Sequence, residues 1–147
     1  MKKLLVIALL STCLVGCASS GRVTANTLSD PQATLNAYMR AWSEQNWEKM
    51  ANTSTRTWVQ GQDRPAWMLS EMYGFFEITE YEIEDIKVVS PVVRDITVFV
   101  RFPLSGYPDP VPARISGRMI RESSAYRPSR SGNWGVNPQT MSPKRLD

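Results

Sequence analysis

Two stretches decide the fold: Glu80-Tyr81-Glu82-Ile83-Glu84-Asp85-Ile86-Lys87-Val88 and Ile96-Thr97-Val98-Phe99-Val100-Arg101-Phe102. In the first, Tyr81 and Ile83 alternate with Glu80, Glu82 and Glu84. In the second, Ile96, Val98, Val100 and Phe102 alternate with Thr97, Phe99 and Arg101. A period of two puts one set of side chains on each face of a strand, so both stretches read as strands with one buried face. The alternation slips at Glu84-Asp85, where one extra residue predicts a β-bulge. Ser90-Pro91 between the stretches turns the chain and predicts a hairpin.

Downstream, Ser105 to Pro110 is a turn rich in Gly and Pro. A third strand is expected from about Val111 to Glu122. Tyr126 to Gly132 reads as a loop. Gly132-Asn133-Trp134-Gly135-Val136 then opens a last strand, expected to end near Met141. Ser142 to Asp147 reads as a loose tail.

Upstream, the period changes to that of a helix. Asp30 is a natural N-cap and Pro31 fits the first helical position. Leu35, Tyr38, Met39 and Trp42 follow at spacings of three and four, making one apolar stripe. Gln45-Asn46 breaks that helix, and a short second one runs from Trp47 to about Asn52. Thr53 to Gln62 is polar apart from Trp58 and Val59 and has room for a short strand. Asp63 and Pro65 open a further helix through Trp67 to Tyr73, which Gly74 ends. Helices first and an antiparallel meander second make an α+β fold, with N-terminal helices packed on an antiparallel sheet, whose curvature the resemblance given below implies.

The front of the chain reads differently. Lys2 and Lys3 precede an unbroken apolar run, Leu4 to Leu10. Such a run is too short to span a bilayer, which takes about 20 residues. A basic start, a short apolar region and small residues at a cut site mark a secretory signal. Leu14-Val15-Gly16-Cys17 resembles the lipobox of bacterial lipoproteins. That resemblance implies a diacylglycerol thioether on Cys17 and cleavage between Gly16 and Cys17. Asp directly after the lipidated Cys retains such proteins in the inner membrane. Here Ala18 follows Cys17, so the resemblance implies an outer-membrane lipoprotein facing the periplasm. The expected organisation is a signal peptide at 1–16, a lipidated N-terminus and tether at 17–28, a domain at 29–141 and a tail at 142–147.

The Tyr38/Trp42 stripe, the Gln45-Asn46-Trp47 break, the Tyr81–Val89 and Ile96–Phe102 hairpin and the closing Gly132–Val136 strand also resemble the NTF2-like fold, a cystatin-like cone. The chain is similar in particular to small bacterial lipoproteins with one such domain. In that fold the sheet curls around a cavity roofed by helices. The resemblance implies Tyr38, Trp42, Trp58, Trp67, Tyr81, Phe99 and Trp134 as candidate lining, with Arg101 as a polar anchor for a small apolar ligand.

Composition narrows the chemistry. The chain has no His, which excludes Ser-His-Asp and Cys-His catalysis and His metal sites. Its 2 Cys are Cys13, inside the signal, and Cys17, the lipid acceptor, so the mature domain is expected to hold neither disulfide nor thiol. The formal charge of +3 includes Lys2 and Lys3, and without them it falls to +1. A balance so near zero gives no argument for nucleic acid. Glu77, Glu80, Glu82, Glu84 and Asp85 read as a solvated strand face that discourages edge pairing. Arg114, Arg118, Arg121, Arg127, Arg130, Lys144 and Arg145 gather late in the chain. They fit a soluble surface, cross-strand pairing with the acidic strand, or an anionic partner such as lipid headgroups or a protein. No catalytic residue, metal ligand or cofactor is expected. The expected function is a membrane-anchored, non-catalytic binding or assembly module of the cell envelope, with a small-ligand carrier as the alternative and an isomerase- or dehydratase-like enzyme as a remote third.

Overall fold

A computed structural model describes residues 27–146. Gly16 and Cys17, the signal, and most of the tether lie outside the described residues. The 3-10 turn Thr27–Ser29 belongs to the folded part, because the Thr34 hydroxyl donates to the Thr27 carbonyl (3.0 Å). Four helices follow: α1 (Pro31–Ser43), α2 (Trp47–Asn52), α3 (Arg56–Gln60) and α4 (Pro65–Tyr73). Four strands come next: β1 (Glu80–Ser90), β2 (Val93–Phe102), β3 (Val111–Glu122) and β4 (Asn133–Arg145). They pair antiparallel in the order β1-β2-β3-β4, an open meander. The α+β class expected from the change of period is the observed one.

The helix boundaries follow local chemistry. Asp30 caps α1, its carboxylate accepting from the Ala33 N–H at 2.8 Å, and Pro31 stands at the first position. Gln45 sits in the left-handed region (φ 52°), which ends α1. Asn46 then caps α2 by accepting from the Lys49 N–H (3.1 Å). The expected strand within Thr53 to Gln62 reduces to one parallel bridge, Ser54 with Val136, and α3 occupies the rest.

The core lies between the helices and one sheet face. Leu35, Tyr38, Met39 and Trp42 of α1 are all fully buried, as the stripe predicts. They meet Ile96, Val98 and Val100 of β2 and Ala113, Ile115 and Met119 of β3. Trp42 organises the aromatics: its ring lies 4.5 Å from Tyr73 and 5.9 Å from Phe76, and its indole N–H donates to the Phe76 carbonyl (3.0 Å). Aromatic contacts of this kind contribute about 0.5–1.5 kcal/mol each beyond area burial.

β4 extends past its expected end. Asn137 pairs with Arg118, and Ser142 with Ser116, so residues 138–141 bulge out opposite Gly117 alone. The excursion is anchored at both ends. The Tyr73 hydroxyl donates to the Pro138 carbonyl, and the Met141 sulfur occupies space that a Cβ on Gly117 would enter, at 2.3 Å. The strand then resumes, with Lys144 opposite Arg114 and the Leu146 N–H donating to the Pro112 carbonyl (3.1 Å). The residues read as a tail are therefore an edge strand. Their polar side chains and Pro143 suit an exposed edge and hide the pairing from a hydrophobic pattern.

Gly135 serves the opposite edge of that strand. A Cβ there would lie 2.7 Å from the Ser54 backbone, so only glycine lets the turn after α2 dock. The docked turn exchanges two hydrogen bonds with Val136: Thr55 N–H to its carbonyl, and its N–H to the Thr53 carbonyl, both 2.9 Å.

Candidate functional site

The aromatic residues expected to line one cavity go to three places. Tyr38, Trp42, Trp58 and Trp134 are buried in the core, and Tyr81 is partly buried against it. Trp67 is 48% exposed on α4, with the Arg64 guanidinium 5.6 Å from its ring centre. Phe99 and Arg101 alternate with the buried Val98 and Val100, so they lie on the outer face of the sheet, where Arg101 sits 5.5 Å from the Phe99 ring. The eight residues therefore do not enclose one space. The Tyr38 hydroxyl is wholly buried without a hydrogen-bond partner. Burial, reinforced by Tyr73 nearby, pushes its ionisation well above the ordinary phenol range.

The outer face is a ladder of cross-strand ion pairs. Arg114 grips Glu84 with two hydrogen bonds, 2.7 and 3.0 Å. Arg118 donates to Asp95 at 2.8 Å, and Arg101 lies 3.4 Å from Glu80. The hydrogen bond from Arg114 holds the Glu84 carboxyl below its ordinary range, and that from Arg118 does the same for Asp95. Three arginines of this face are thus neutralised by partners on other strands of the sheet, Arg114 reaching across β2.

One end of the sheet is built differently. The β1–β2 turn and the β3–β4 loop share it, because a meander returns to the same end at every second connection. The Arg121 N–H ties them by donating to the Val92 carbonyl (2.9 Å). Here Trp134 carries two guanidinium groups, Arg94 at 4.7 Å and Arg121 at 5.9 Å from the ring centre. Arg94 faces Met119 across the ladder and Arg121 faces Trp134, so all three lie on the helix side of the sheet. Main-chain carbonyls fix the arginines. Arg94 donates to those of Ser90 and Val93, and Arg121 to that of Gly132 (2.9 Å). Among the described residues, neither has a carboxylate partner. Cation–π contacts of this geometry are worth about 0.5–2 kcal/mol each.

The acidic residue that ends β3 turns away. Glu122 is 4% exposed, and its carboxylate accepts from the Thr57 N–H (3.1 Å) and the Thr57 hydroxyl (2.7 Å). It therefore caps α3, whose own cap residue Thr55 makes no side-chain bond. Glu122 also borders a cleft of about 280 Å³ with Trp58, Gln62, Asn137 and Gln139. Both of its oxygens are engaged by α3. Beyond Glu122, the loop passes through Tyr126 in the left-handed region (φ 57°) and returns by bonds from Ser123 N–H to the Arg127 carbonyl (2.9 Å) and Ser129 N–H to the Arg121 carbonyl (2.8 Å). Gly132 closes it where a Cβ would lie 2.1 Å from the Glu122 carbonyl oxygen.

Sequence reading placed Arg114, Arg118 and Arg121 in one late basic group, and the register divides them. It passed over Arg94, although a signal was there. Arg94 is in phase with Ile96, Val98 and Val100, and a cation in phase with buried residues marks a strand end where the core opens. Among the described residues, no group of three or more Asp, Glu, Cys or His could hold a metal, and no helix is long and apolar enough to cross a membrane. Compared with known proteins, the chain matches no family model and no curated protein.

Proposed function

We propose that this chain is a lipid-anchored, non-catalytic binding module of a bacterial cell envelope, tethered at Cys17 to the periplasmic face of the outer membrane. It belongs, on this reading, with the single-domain NTF2-like lipoproteins that its sequence resembles. Its working surface is the sheet end that carries Arg94, Trp134 and Arg121, and its partner there is anionic. The observation behind this is the pair of guanidinium groups held over Trp134 by main-chain carbonyls without a carboxylate. Arginines fixed in this way keep their charge and their outward N–H groups for a partner.

The space between helices and sheet is taken up by Tyr38, Trp42, Met39, Met50 and Leu69, which argues for the module over a carrier. Its carboxylates argue against an enzyme. Every described Asp and Glu is exposed or ion-paired except Glu122, which α3 occupies. Two measurements test the reading. The intact mass of the chain purified from its own host is expected to match a chain starting at Cys17 and carrying acyl groups. Crosslinking in intact membranes through residues flanking Arg121 is expected to return a repeated anionic partner. An unmodified chain starting at Met1, or a chain crosslinked to nothing, would overturn it.

A further inference from the structure

The anionic partner has a specific candidate, and this inference rests on the binding-module reading above. The hairpin tip Val88–Arg94 and the loop 123–132 contain four arginines, Arg94, Arg121 and its neighbours Arg127 and Arg130, counted with the strand end that joins them. Neither segment contains an acidic residue, and Glu122 between them is buried against α3. Arg127 and Arg130 are exposed. The same tip presents apolar side chains to solvent: Val88 is 66% exposed and Val89 50%. Val88 stands opposite Arg94, with a register shift between Val88 and Ser90 that twists the edge just before the turn.

The exposed valines stand level with Arg94 and beside the arginines of the neighbouring loop, so apolar and cationic side chains share one end of the sheet, as an anionic bilayer surface requires. There, acyl chains lie beneath a sheet of phosphates. The opposite end also exposes apolar side chains, Leu104 and Tyr107, but its 103–110 connection carries Asp109 and the adjoining Arg101 is paired with Glu80. On the reading above, an acylated Cys17 stands ten residues before Thr27 in the chain, which keeps the domain near the membrane. A lipid chain combined with a basic surface is a known route to stable membrane association.

We propose that the Val88–Arg94 tip and the 123–132 loop dock on an anionic phospholipid surface, with Val88 and Val89 entering the interface and Arg94, Arg121, Arg127 and Arg130 meeting lipid phosphates. Docking fixes the orientation of the tethered domain.

The test uses the full chain purified from its host and reconstituted into vesicles, with a nitroxide label at Val88→Cys or, as a control at the opposite end, Leu104→Cys. Both positions are exposed, so neither substitution disturbs the core. Vesicles of phosphatidylcholine with phosphatidylglycerol are compared with phosphatidylcholine alone. The label at 88 is expected to gain severalfold in access to membrane-dissolved oxygen over aqueous nickel chelate in the anionic vesicles only, and the label at 104 is expected to stay aqueous. The gain is expected to disappear in R127Q/R130Q. A label at 88 that stays as aqueous as the label at 104 would overturn the proposal. Equal burial in neutral vesicles would overturn the role given to the arginines. If the label at 88 stays aqueous while crosslinking through the same end returns an anionic protein, membrane docking falls and the binding-module reading stands. If crosslinking returns nothing as well, both fall.

Discussion

The outer face of the sheet and its arginine-bearing end use the same side chain in opposite ways. On the face, Arg101 and Arg118 each reach a carboxylate on the adjacent strand, and Arg114 reaches across β2 to Glu84 on β1. At the end, Arg94 directly precedes Asp95 and Arg121 lies three residues after Arg118, yet both stack on Trp134 and bond to carbonyls. The pleat makes the difference. Arg94 and Asp95 point to opposite faces, so Asp95 serves Arg118 and leaves Arg94 to the aromatic ring. Charge is neutralised on the outer face, and retained at the end where two guanidinium groups cover the buried Trp134.

The largest way to break this contrast is to remove the ring. Trp134→Ala leaves a cavity at the end of the core and releases both arginines, and it is expected to cost about 3–5 kcal/mol in denaturant unfolding. Next comes Gly132→Ala, whose methyl would meet the Glu122 carbonyl. The β3–β4 loop is expected to shift at a cost of about 3 kcal/mol. Glu122→Gln sharpens the contrast by testing whether this carboxylate is structural. It keeps an acceptor for Thr57 and removes the charge from the α3 N-terminus, so a loss of about 1 kcal/mol is expected in the same assay. The smallest effect belongs to the outer face. Arg114→Gln and Arg118→Gln involve exposed pairs and are expected to leave the unfolding midpoint within error near neutral pH.

Acid provides a second probe of that face. The carboxyls of Glu84 and Asp95 are held below their ordinary values of 4.5 and 3.8 in the folded chain. Groups depressed on folding contribute stability that is present above those ordinary values and lost as pH falls through the lower folded ones. A titration of unfolding midpoint against pH is therefore expected to decline below about pH 4.5, and the decline is expected to be shallower in the R114Q/R118Q variant.

Much of the architecture was legible because its periods are strong. The α1 stripe, the Asp30-Pro31 start, α2 and α4 and the bulge at Glu84-Asp85 all follow from residue spacing. Two elements were hidden. α3 lies in a polar stretch and is stabilised from outside, by Glu122 some 65 residues away, which no local pattern reports. The end of β4 escaped because the four-residue bulge opposite Gly117 resets the alternation. The candidate site was legible only in pieces. Trp134 and Arg121 were noticed separately, and only the register between β3 and β4 puts them face to face. Phe99 and Arg101 belong to a cavity lining only by resemblance; their phase, opposite to Val98 and Val100, places them outside. The lipobox reading at Cys17 falls beyond the described residues and stands on the sequence.

The most direct measurement compares two variants of equal charge, R94Q/R121Q and R114Q/R118Q, by co-sedimentation of the anchor-free domain, cut before Thr27, with vesicles containing phosphatidylglycerol. R94K/R121K serves as a control that retains the charge at the tip. The account predicts that R94Q/R121Q loses vesicle association, while R114Q/R118Q and R94K/R121K keep it. Equal loss in the two glutamine variants would show that only net charge matters, and would contradict the division of the arginines on which the account rests.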